Sequence, residues 1–529
     1  MKTTLLIILL SLTAFLNAQV NTNISNYPLF DGEQFLAVTN NGHTVMIAWM
    51  QLKLNGKISI VVRNSTDGGY NWNSTYTIPN VYPNFTMADP SIAISKFGDA
   101  YLCYIEYKGQ GTTDSGVVIV RKSTNGGATW GNANIVRSIT ETSDLAIDRP
   151  WIAIDNNQAS PNYECIYVTS MPPKWATLPQ NLHLKYSTNQ GTNWSSDIIV
   201  SAAGYPAFHG SMGVVAVSLD GTLNIAYTSL QGLTPKFALA KTSNKGASFQ
   251  RNYITNHYSL EDTLYQTSYS LTAEPQNQGV LNFAYTAKIY SDPDIFVVRT
   301  QDGGANWTNP YRVNSDPLNN GKGQDMVWSV YNSYVYALAW RDRRNGVAGS
   351  SSPFEVYYAM SNDGGQTFLP NMKASSVASP FNTMGVSGND FLGLFIDASY
   401  IRICWSDFRL GGINWDIFYD QGLLPKVVNI STEIPDGYKL YQNYPNPFNP
   451  GTRIRFSIMS SSNGLGEELV ILKVFNLKGQ LISTLINEKL APGTYETDFT
   501  ADNLASGVYY YQLSVNNITI GTKKMILIR

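Results

Sequence analysis

Acidic and basic side chains are concentrated at a few points of a chain that carries little charge. Asp and Arg are adjacent at Asp148-Arg149, and the pattern Trp-x-Asp-x-Arg occurs twice, in Trp340–Arg344 and Trp405–Arg409. Only 14% of the residues are charged, against about 25% in an average soluble protein. An arginine can hold a carboxylate through two parallel hydrogen bonds, and an aspartate can transfer a proton. The candidate catalytic residues are therefore Asp148, Arg149, Arg341, Asp342, Arg344, Asp407 and Arg409.

Four further residues are candidates for ligand binding, namely Asp89, Trp175, His209 and Asp325. Trp175 lies on a long loop and could stack on the face of a sugar ring. Each candidate also has a structural interpretation. The aspartates can accept backbone N–H groups, the Trp-x-Asp-x-Arg patterns can form internal ion pairs, and the histidine and tryptophan can pack in their loops. Both interpretations remain open at the level of the sequence.

Composition restricts the fold that must position these residues. The 529 residues are 43% hydrophobic and 12% aromatic, with 42 Gly, 24 Pro and 33 Tyr. This profile excludes a disordered chain, a coiled coil and a charged helical array, and it favours an all-β protein with many tight turns. The formal net charge of −2 offers no basic surface for nucleic acid. The length allows about two to four domains.

One short pattern, Ser/Thr-x-Asp/Asn-x-Gly-x-x-Trp/Phe, recurs at a mean spacing of about 59 residues, which indicates a propeller or a solenoid. The six copies are Ser65–Trp72, Ser123–Trp130, Ser187–Trp194, Thr242–Phe249, Thr300–Trp307 and Ser361–Phe368. The Asp or Asn can accept backbone N–H groups across a turn, and the Gly can adopt a positive φ. Because apolar runs such as Ile58–Val62 precede the copies, each copy is predicted to join two antiparallel strands.

A second pair of apolar strands leads each unit, so that every unit holds four strands, A to D. These pairs begin near Glu33, Asp89, Arg149, Gly210, Ser268, Met326 and Phe391. Seven four-stranded units predict a seven-bladed β-propeller over residues 19–430, with six blades and one irregular unit as the alternative. In such a meander the A–B and C–D turns share one face, and the B–C loops and D–A connections share the other. The candidate residues should therefore meet on the face opposite the repeated turns.

The repeated turn resembles the Asp box, or BNR repeat, of sialidases and their relatives, and the resemblance covers most of residues 31–420. It implies a sialidase-like β-propeller. That family binds the substrate carboxylate with three arginines, and Arg149, Arg341 or Arg344, and Arg409 could supply them. Asp148 or Asp89 could supply the acid. The Arg-Ile-Pro segment typical of the first catalytic arginine is absent from the first unit, and no Tyr–Glu pair stands out.

The two ends of the chain predict export. Lys2, the apolar run Leu5–Leu16 and the small residue Ala18 are typical of a signal peptide over residues 1–18, and no later stretch is long enough to span a membrane. Residues 435–529 closely resemble the type A C-terminal sorting domain of the type IX secretion system, after a linker and motif start at 431–450. The resemblance implies a small β-sandwich, an interaction with that secretion machinery, and a secreted or cell-surface protein.

The expected function is recognition of a glycan or another extracellular polymer by the propeller. An active glycoside hydrolase that uses the Arg and Asp candidates is the alternative, so whether the protein is an enzyme stays open. No cofactor and no metal ion are expected, although a cation held by a ring of axial aspartates is a third possibility.

Overall fold

The computed structural model describes a chain built of strands, turns and bends. The described residues are 21–108, 115–138, 147–172, 181–208, 212–256, 268–332, 335–349, 351–380, 391–397, 399–411, 414–423, 428–431, 435–460, 468–501 and 504–528. Among them no helix is present that could cross a membrane. The predicted signal peptide lies outside these residues. The chain divides into two compact units, Met1–Gly422 and Leu423–Arg529.

The first unit consists of seven antiparallel sheets of four strands each. The chain begins with β1 (Thr22–Asn23). Blade 1 contains β2 (Asp31–Val38), β3 (Val45–Leu52), β4 (Ile58–Ser65) and β5 (Tyr76–Thr77). Blade 2 contains β6 (Thr86–Ile94), β7 (Ala100–Lys108), β8 (Ser115–Ser123) and β9 (Asn134–Ser138). Blade 3 contains β10 (Asp148–Ile154), β11 (Ile166–Met171), β12 (His183–Ser187) and β13 (Ile198–Ile199).

The remaining blades follow the same order along the chain. Blade 4 contains β14 (Val214–Val217), β15 (Leu223–Gln231), β16 (Thr234–Thr242) and β17 (Gln250–Asn256). Blade 5 contains β18 (Tyr269–Ala273), β19 (Leu281–Ala287), β20 (Asp294–Thr300) and β21 (Tyr311–Arg312). Blade 6 contains β22 (Gln324–Tyr331), β23 (Tyr336–Asp342), β24 (Glu355–Ser361) and β25 (Met372–Lys373). Blade 7 contains β26 (Gly393–Ile396), β27 (Tyr400–Asp407) and β28 (Asp416–Leu423), with β1 as its fourth strand.

The inner strands form a closed ring. The first strand of each sheet contacts the first strand of the next sheet, and β26 of blade 7 contacts β2 of blade 1. The N-terminal strand completes blade 7, since Thr22 pairs with Tyr419 and Asn23 with Phe418. The second strands are apolar runs because each is covered on both faces; β3, for example, is almost entirely buried. The predicted all-β propeller is confirmed, and it has seven blades, the last of which is closed by the start of the chain.

The six repeated segments, which we call the box turns, connect the third and fourth strands of blades 1 to 6. In every copy the Ser or Thr hydroxyl accepts the backbone N–H of the Gly four residues later, at 2.7–3.0 Å. In the first copy Asp67 accepts the N–H of Asn71 at 2.8 Å, and Gly69 has a φ of +101°. The box turns therefore hold their shape through their own polar groups, as the sequence pattern predicts.

Hydrogen bonds between turns confirm that the A–B and C–D turns share one face. The Gly68 N–H of the first box turn donates to the His43 carbonyl in the A–B turn of the same blade, at 2.7 Å. The Gly303 N–H donates in the same way to the Gly279 carbonyl of blade 5, at 2.8 Å. The B–C loops and D–A connections consequently form the opposite face, which we call the loop face.

The second unit is a β-sandwich. One sheet has the order β29 (Val428–Ser431), β34 (Gly493–Thr500), β31 (Gly451–Ile458) and β30 (Lys439–Leu440). The other has the order β33 (Leu481–Leu490), β32 (Glu468–Asn476), β35 (Gly507–Val515) and β36 (Ile518–Leu527). Leu440 and Phe448, from the segment predicted as a linker and motif start, are buried in its core. That segment therefore contributes to the sandwich.

Candidate functional site

Several inner strands begin with a β-bulge on the loop face. The pairing register shifts at Gly32/Phe35 in β2, Ala88/Ser91 in β6, Asp148/Trp151 in β10 and Asp325/Trp328 in β22. Each bulge contains a residue with a positive φ, namely Glu33 (+50°), Asp89 (+55°), Arg149 (+47°) and Met326 (+56°). Such a backbone costs on the order of 1–3 kcal/mol and persists only where its surroundings impose it, and bulges are common beside binding sites. Two candidate residues, Asp89 and Arg149, thus occupy strained positions.

Carboxylates from blades 1 to 3 all lie within electrostatic range of one tyrosine. Burial and the negative charges of Asp89, Glu33 and Asp148 raise the pKa of Tyr107 to about 12. Glu33 and Asp89 are buried, whereas Asp148 is half-buried. The Asp89 carboxylate accepts the backbone N–H of Arg149 at 2.9 Å and thereby joins blade 2 to blade 3. The structure brings together the candidates Asp89, Asp148 and Arg149, and it adds Glu33 and Tyr107.

Asp325 is the centre of a buried ion cluster in blade 6. It accepts two hydrogen bonds from the Arg341 guanidinium, at 2.8 and 2.6 Å, and a third from Arg343 at 3.2 Å. All three side chains are almost completely inaccessible. Burial opposes ionisation of Asp325, but the charges of Arg341 and Arg343 outweigh it and lower the pKa to about 2. Arg341 therefore directs its charge at a carboxylate of its own blade.

The first Trp-x-Asp-x-Arg pattern forms a closed set of contacts at the end of β23. Asp342 accepts the Trp340 indole N–H at 2.7 Å, the Arg344 backbone N–H at 2.8 Å and the Arg344 guanidinium at 2.7 Å. The guanidinium lies over the Tyr357 ring at 4.2 Å and donates to Asn371, which precedes the outer strand, at 2.9 Å. Arg344 thus extends toward the outer edge of its blade.

The second pattern repeats this geometry in blade 7. Asp407 accepts the Trp405 indole N–H at 2.8 Å, the Arg409 backbone N–H at 2.8 Å and the Arg409 Nε–H at 2.9 Å. The Arg409 guanidinium lies 4.2 Å from the Phe418 ring centre and donates to Asn21, which precedes β1, at 3.2 Å. Two copies of one pattern therefore have one structural explanation, an ion pair that links the B strand to the outer strand.

An aromatic layer crosses the axis just beyond the bulges. Trp151 lies 5.4 Å from Phe35, 5.1 Å from Trp328 and 5.6 Å from Phe391, measured between ring centres. Three of these rings directly follow a register shift, namely Phe35, Trp151 and Trp328. The bulge therefore orients each ring toward the axis. On the far side of this layer an axial cavity of about 420 Å³ is lined by the second halves of the inner strands. The layer separates that cavity from the carboxylates of the loop face.

Exposed apolar side chains are a recurring feature of the loop face. Five B–C loops within the described residues each present one, with 45–97% of the side chain exposed. These are Leu54, Leu233, Tyr290, Val347 and Leu410. Lys or Arg follows or precedes each within three residues. Loops of this kind provide a broad surface that a large partner can contact.

The structure distributes the candidate residues over separate groups. Asp89, Asp148 and Arg149 belong to blades 2 and 3, whereas Arg341, Arg344 and Arg409 belong to three ion pairs in blades 6 and 7. Trp175 and His209 lie outside the described residues. Sequence reasoning missed Glu33, Tyr107 and the aromatic layer. A signal for the bulges was present in Asp89-Pro90 and Arg149-Pro150, because proline inside a strand often marks a bulge.

No group of three or more His, Cys, Asp or Glu is arranged to hold a metal ion within the part of the chain that the structure describes. The three cysteines, Cys103, Cys165 and Cys404, are buried free thiols.

The C-terminal unit has a recognised counterpart. Residues 442–528 match the family of the secretion system C-terminal sorting domain. The second unit belongs to this sorting-domain family. The predicted sorting domain is thereby confirmed, and the protein is exported by type IX secretion as a secreted or cell-surface protein.

Solved structures with a similar fold are distant from this chain. A Hadza microbial sialidase is 14% identical, with a TM-score of 0.39, over 74% of this chain and 66% of the sialidase. An intramolecular trans-sialidase from Ruminococcus gnavus is 12% identical, with a TM-score of 0.35, over 74% of this chain and 94% of that one. An α-L-arabinofuranosidase from Fusarium graminearum is 13% identical, with a TM-score of 0.41, over 64% and 97%. No curated protein matches the sequence. Similarity this distant assigns no activity to the chain.

Proposed function

We propose that the propeller is a non-catalytic module that binds a glycan or another extracellular polymer through the loop face. One observation carries this proposal. Arg341, Arg344 and Arg409 each bind a carboxylate of their own blade through hydrogen bonds of 2.9 Å or less. Arginines that bind a ligand carboxylate must direct their guanidinium N–H donors at the ligand. These three arginines support a scaffolding role instead.

The shape of the loop face supports a large ligand. Its B–C loops carry exposed apolar side chains, from Leu54 in blade 1 to Leu410 in blade 7. Contacts distributed over several loops suit a polymer that crosses the face, whereas a small substrate requires a deep pocket that buries most of its surface. Export to the cell surface or medium places the module where such polymers occur.

Polysaccharide binding by the full mature chain, residues 19–529, tests the proposal. We expect retention on at least one polymer of a panel of soluble and insoluble polysaccharides, and weaker retention of the variant Leu233→Asp. Phe97→Asp is the matched control, because Phe97 is 70% exposed in an A–B turn on the opposite face. Absence of binding across the panel, or equal losses in the two variants, would contradict the proposal.

A second candidate function, glycoside hydrolysis, is favoured by the carboxylates around Tyr107. The charges of Glu33, Asp89 and Asp148 all act on the Tyr107 phenol. Three backbone positions in this group, Glu33, Asp89 and Arg149, have a positive φ. Paired carboxylates are the usual catalytic groups of glycosidases. Turnover of a panel of fluorogenic glycosides by the mature chain, lost in Asp148→Asn, would establish this function in place of the first. A negative panel together with polysaccharide binding would exclude it.

A further inference from the structure

We propose that Tyr82 and Phe85, in the D–A connection between blades 1 and 2, form a stacking platform for a sugar ring of the bound glycan. This inference rests on the proposed function and narrows it to one subsite. The two rings lie 4.9 Å apart with an interplanar angle of 27°. Both side chains are half-buried, and the neighbouring Val81 is exposed. Tyr82 also packs against the hydrophobic core of the propeller, so the pair leaves only part of its aromatic surface exposed to solvent on the loop face.

Buried charges hold the connection that carries these rings. The Glu106 carboxylate, whose residue is fully inaccessible, accepts the Val81 N–H at 2.9 Å and the Tyr82 N–H at 2.9 Å. The buried Arg121 donates to the Pro79 carbonyl at 2.9 Å. Burying a charge is costly unless it is well bonded. Two buried charges here bond to the backbone of a surface connection, which is typical of a preorganised binding element.

Further contacts complete the rigid shape of the connection. The Phe85 N–H donates to the Tyr82 carbonyl at 2.9 Å, and the Asn80 amide donates to the Phe85 carbonyl at 3.1 Å. Lys57, from the B–C loop of blade 1, donates to the Pro83 carbonyl at 2.8 Å. A ligand that stacks on the rings does not have to order the loop, so little binding energy is lost to that process.

The surroundings of the platform favour a carbohydrate over a purely apolar ligand. Phe85 directly precedes β6, which carries Asp89, and Thr86 of the same strand pairs with Tyr107. The platform therefore lies next to the strands that carry the carboxylates of blades 1 to 3. A sugar ring has apolar faces suited to an aromatic ring and hydroxyl groups suited to carboxylate acceptors. The connection thus supplies the apolar contact, and Asp148, the half-buried member of this carboxylate group, supplies an acceptor for a hydroxyl.

Affinity electrophoresis of the full mature chain in gels containing xylan, mannan, laminarin or arabinan tests this inference. We expect Tyr82→Ala and Phe85→Ala each to weaken binding to the retarding polymer about tenfold, and the double variant to weaken it further. Tyr70→Ala is the control, because Tyr70 is 67% exposed in the first box turn on the opposite face and contacts another tyrosine. Unfolding temperatures verify that all variants are folded.

The outcomes distinguish failure of the stacking platform from failure of the proposed function. If the wild-type chain is not retarded by any of the four polymers, the proposed function fails and this inference fails with it. If the wild-type chain is retarded and Tyr82→Ala and Phe85→Ala migrate with it, only the platform is refuted. Glu106→Gln tests preorganisation. We expect faster amide hydrogen exchange at residues 81–82 together with weaker binding, and unchanged exchange would overturn the positioning role of Glu106.

Discussion

Blade 1 and blades 6 and 7 share a contact between a tryptophan and a carboxylate, but they surround it with different charges. The Trp340 and Trp405 indoles donate to the aspartates two residues later. In blade 1 the corresponding positions hold Trp49, Gln51 and Lys53, and the carboxylate comes from Asp31 on the neighbouring strand, at 3.0 Å from the indole. Blade 1 therefore makes the same contact between an indole N–H and a carboxylate, but with an aspartate from a different strand.

The difference determines how the carboxylate is neutralised. Asp342 and Asp407 are each bound by an arginine from their own loop. A cation that acts on Asp31 is Lys53, which stands at the position corresponding to Arg344. Burial raises the pKa of Asp31 to about 7 despite the opposing influence of the polar groups of Ser25, Gln51 and Trp49, and the charge of Asp416 contributes to the increase. In blades 6 and 7 the arginine two residues after the aspartate makes the acid that binds the indole part of an internal ion pair. In blade 1, where that arginine is replaced by Lys53, the acid is expected to titrate.

The largest effect is expected where two cations depend on one acid. Asp325→Ala leaves Arg341 and Arg343 buried without their carboxylate, so we expect the propeller to lose about 3–5 kcal/mol of unfolding free energy. Chemical denaturation followed by tryptophan fluorescence measures this, because all 11 Trp lie in the first unit. Asp302→Ala in an exposed box turn is the control. A loss below about 1 kcal/mol for Asp325→Ala would contradict the buried cluster.

Asp31→Asn should change the pH dependence of stability. Folded Asp31 keeps its proton up to pH of about 7, whereas the unfolded chain releases it near 3.8. Unfolding between these values releases a proton, so the wild-type propeller should lose stability as the pH rises from about 4 to about 7. Asp31→Asn removes this loss and should be more stable at pH 8, by on the order of 2–4 kcal/mol. Parallel curves of stability against pH for the two proteins would refute the titrating acid.

Arg409→Ala tests the scaffolding interpretation of the second Trp-x-Asp-x-Arg pattern. We expect a loss of about 1–3 kcal/mol, because Asp407 keeps its bonds from the Trp405 indole and the backbone while it loses the guanidinium. Polysaccharide binding at a temperature where the variant is folded should be unchanged. Loss of binding without loss of stability would instead place Arg409 in a ligand site.

The smallest effect is expected in the box turns, where each contact is repeated and local. Ser123→Ala removes the acceptor of the Gly127 N–H and the donor to Asn125, and we expect it to cost about 1 kcal/mol. Ser248→Ala, at an exposed position of the fourth box turn, is the control and should have less effect. Equal effects at both positions would show that the buried hydroxyl is not required.

The fold was largely predictable because its signals are local. Turn residues and alternating apolar runs indicate hairpins, and seven repeats of a four-stranded unit indicate a propeller. The candidate site was less predictable. The pattern in Trp340–Arg344 identifies the residues of an ion pair but not whether the guanidinium points to a ligand or to the outer strand. Asp89 and Arg149 were selected from the sequence, whereas Glu33 and Tyr107 carry no local pattern that links them.

The amino-acid sequence alone determined the repeat, the positions of the box turns, the loop face and the sorting domain at the C-terminus, because each depends on residues within a few positions of one another. Tertiary structure decided the rest. The pairing of β1 with β28 joins the two ends of the propeller chain within one blade. The meeting of Phe35, Trp151 and Trp328 on the axis, and the convergence of carboxylates from blades 1 to 3 on Tyr107, join residues from different blades. Such contacts arise only when the ring closes, since closure brings segments far apart in the chain to the same axis.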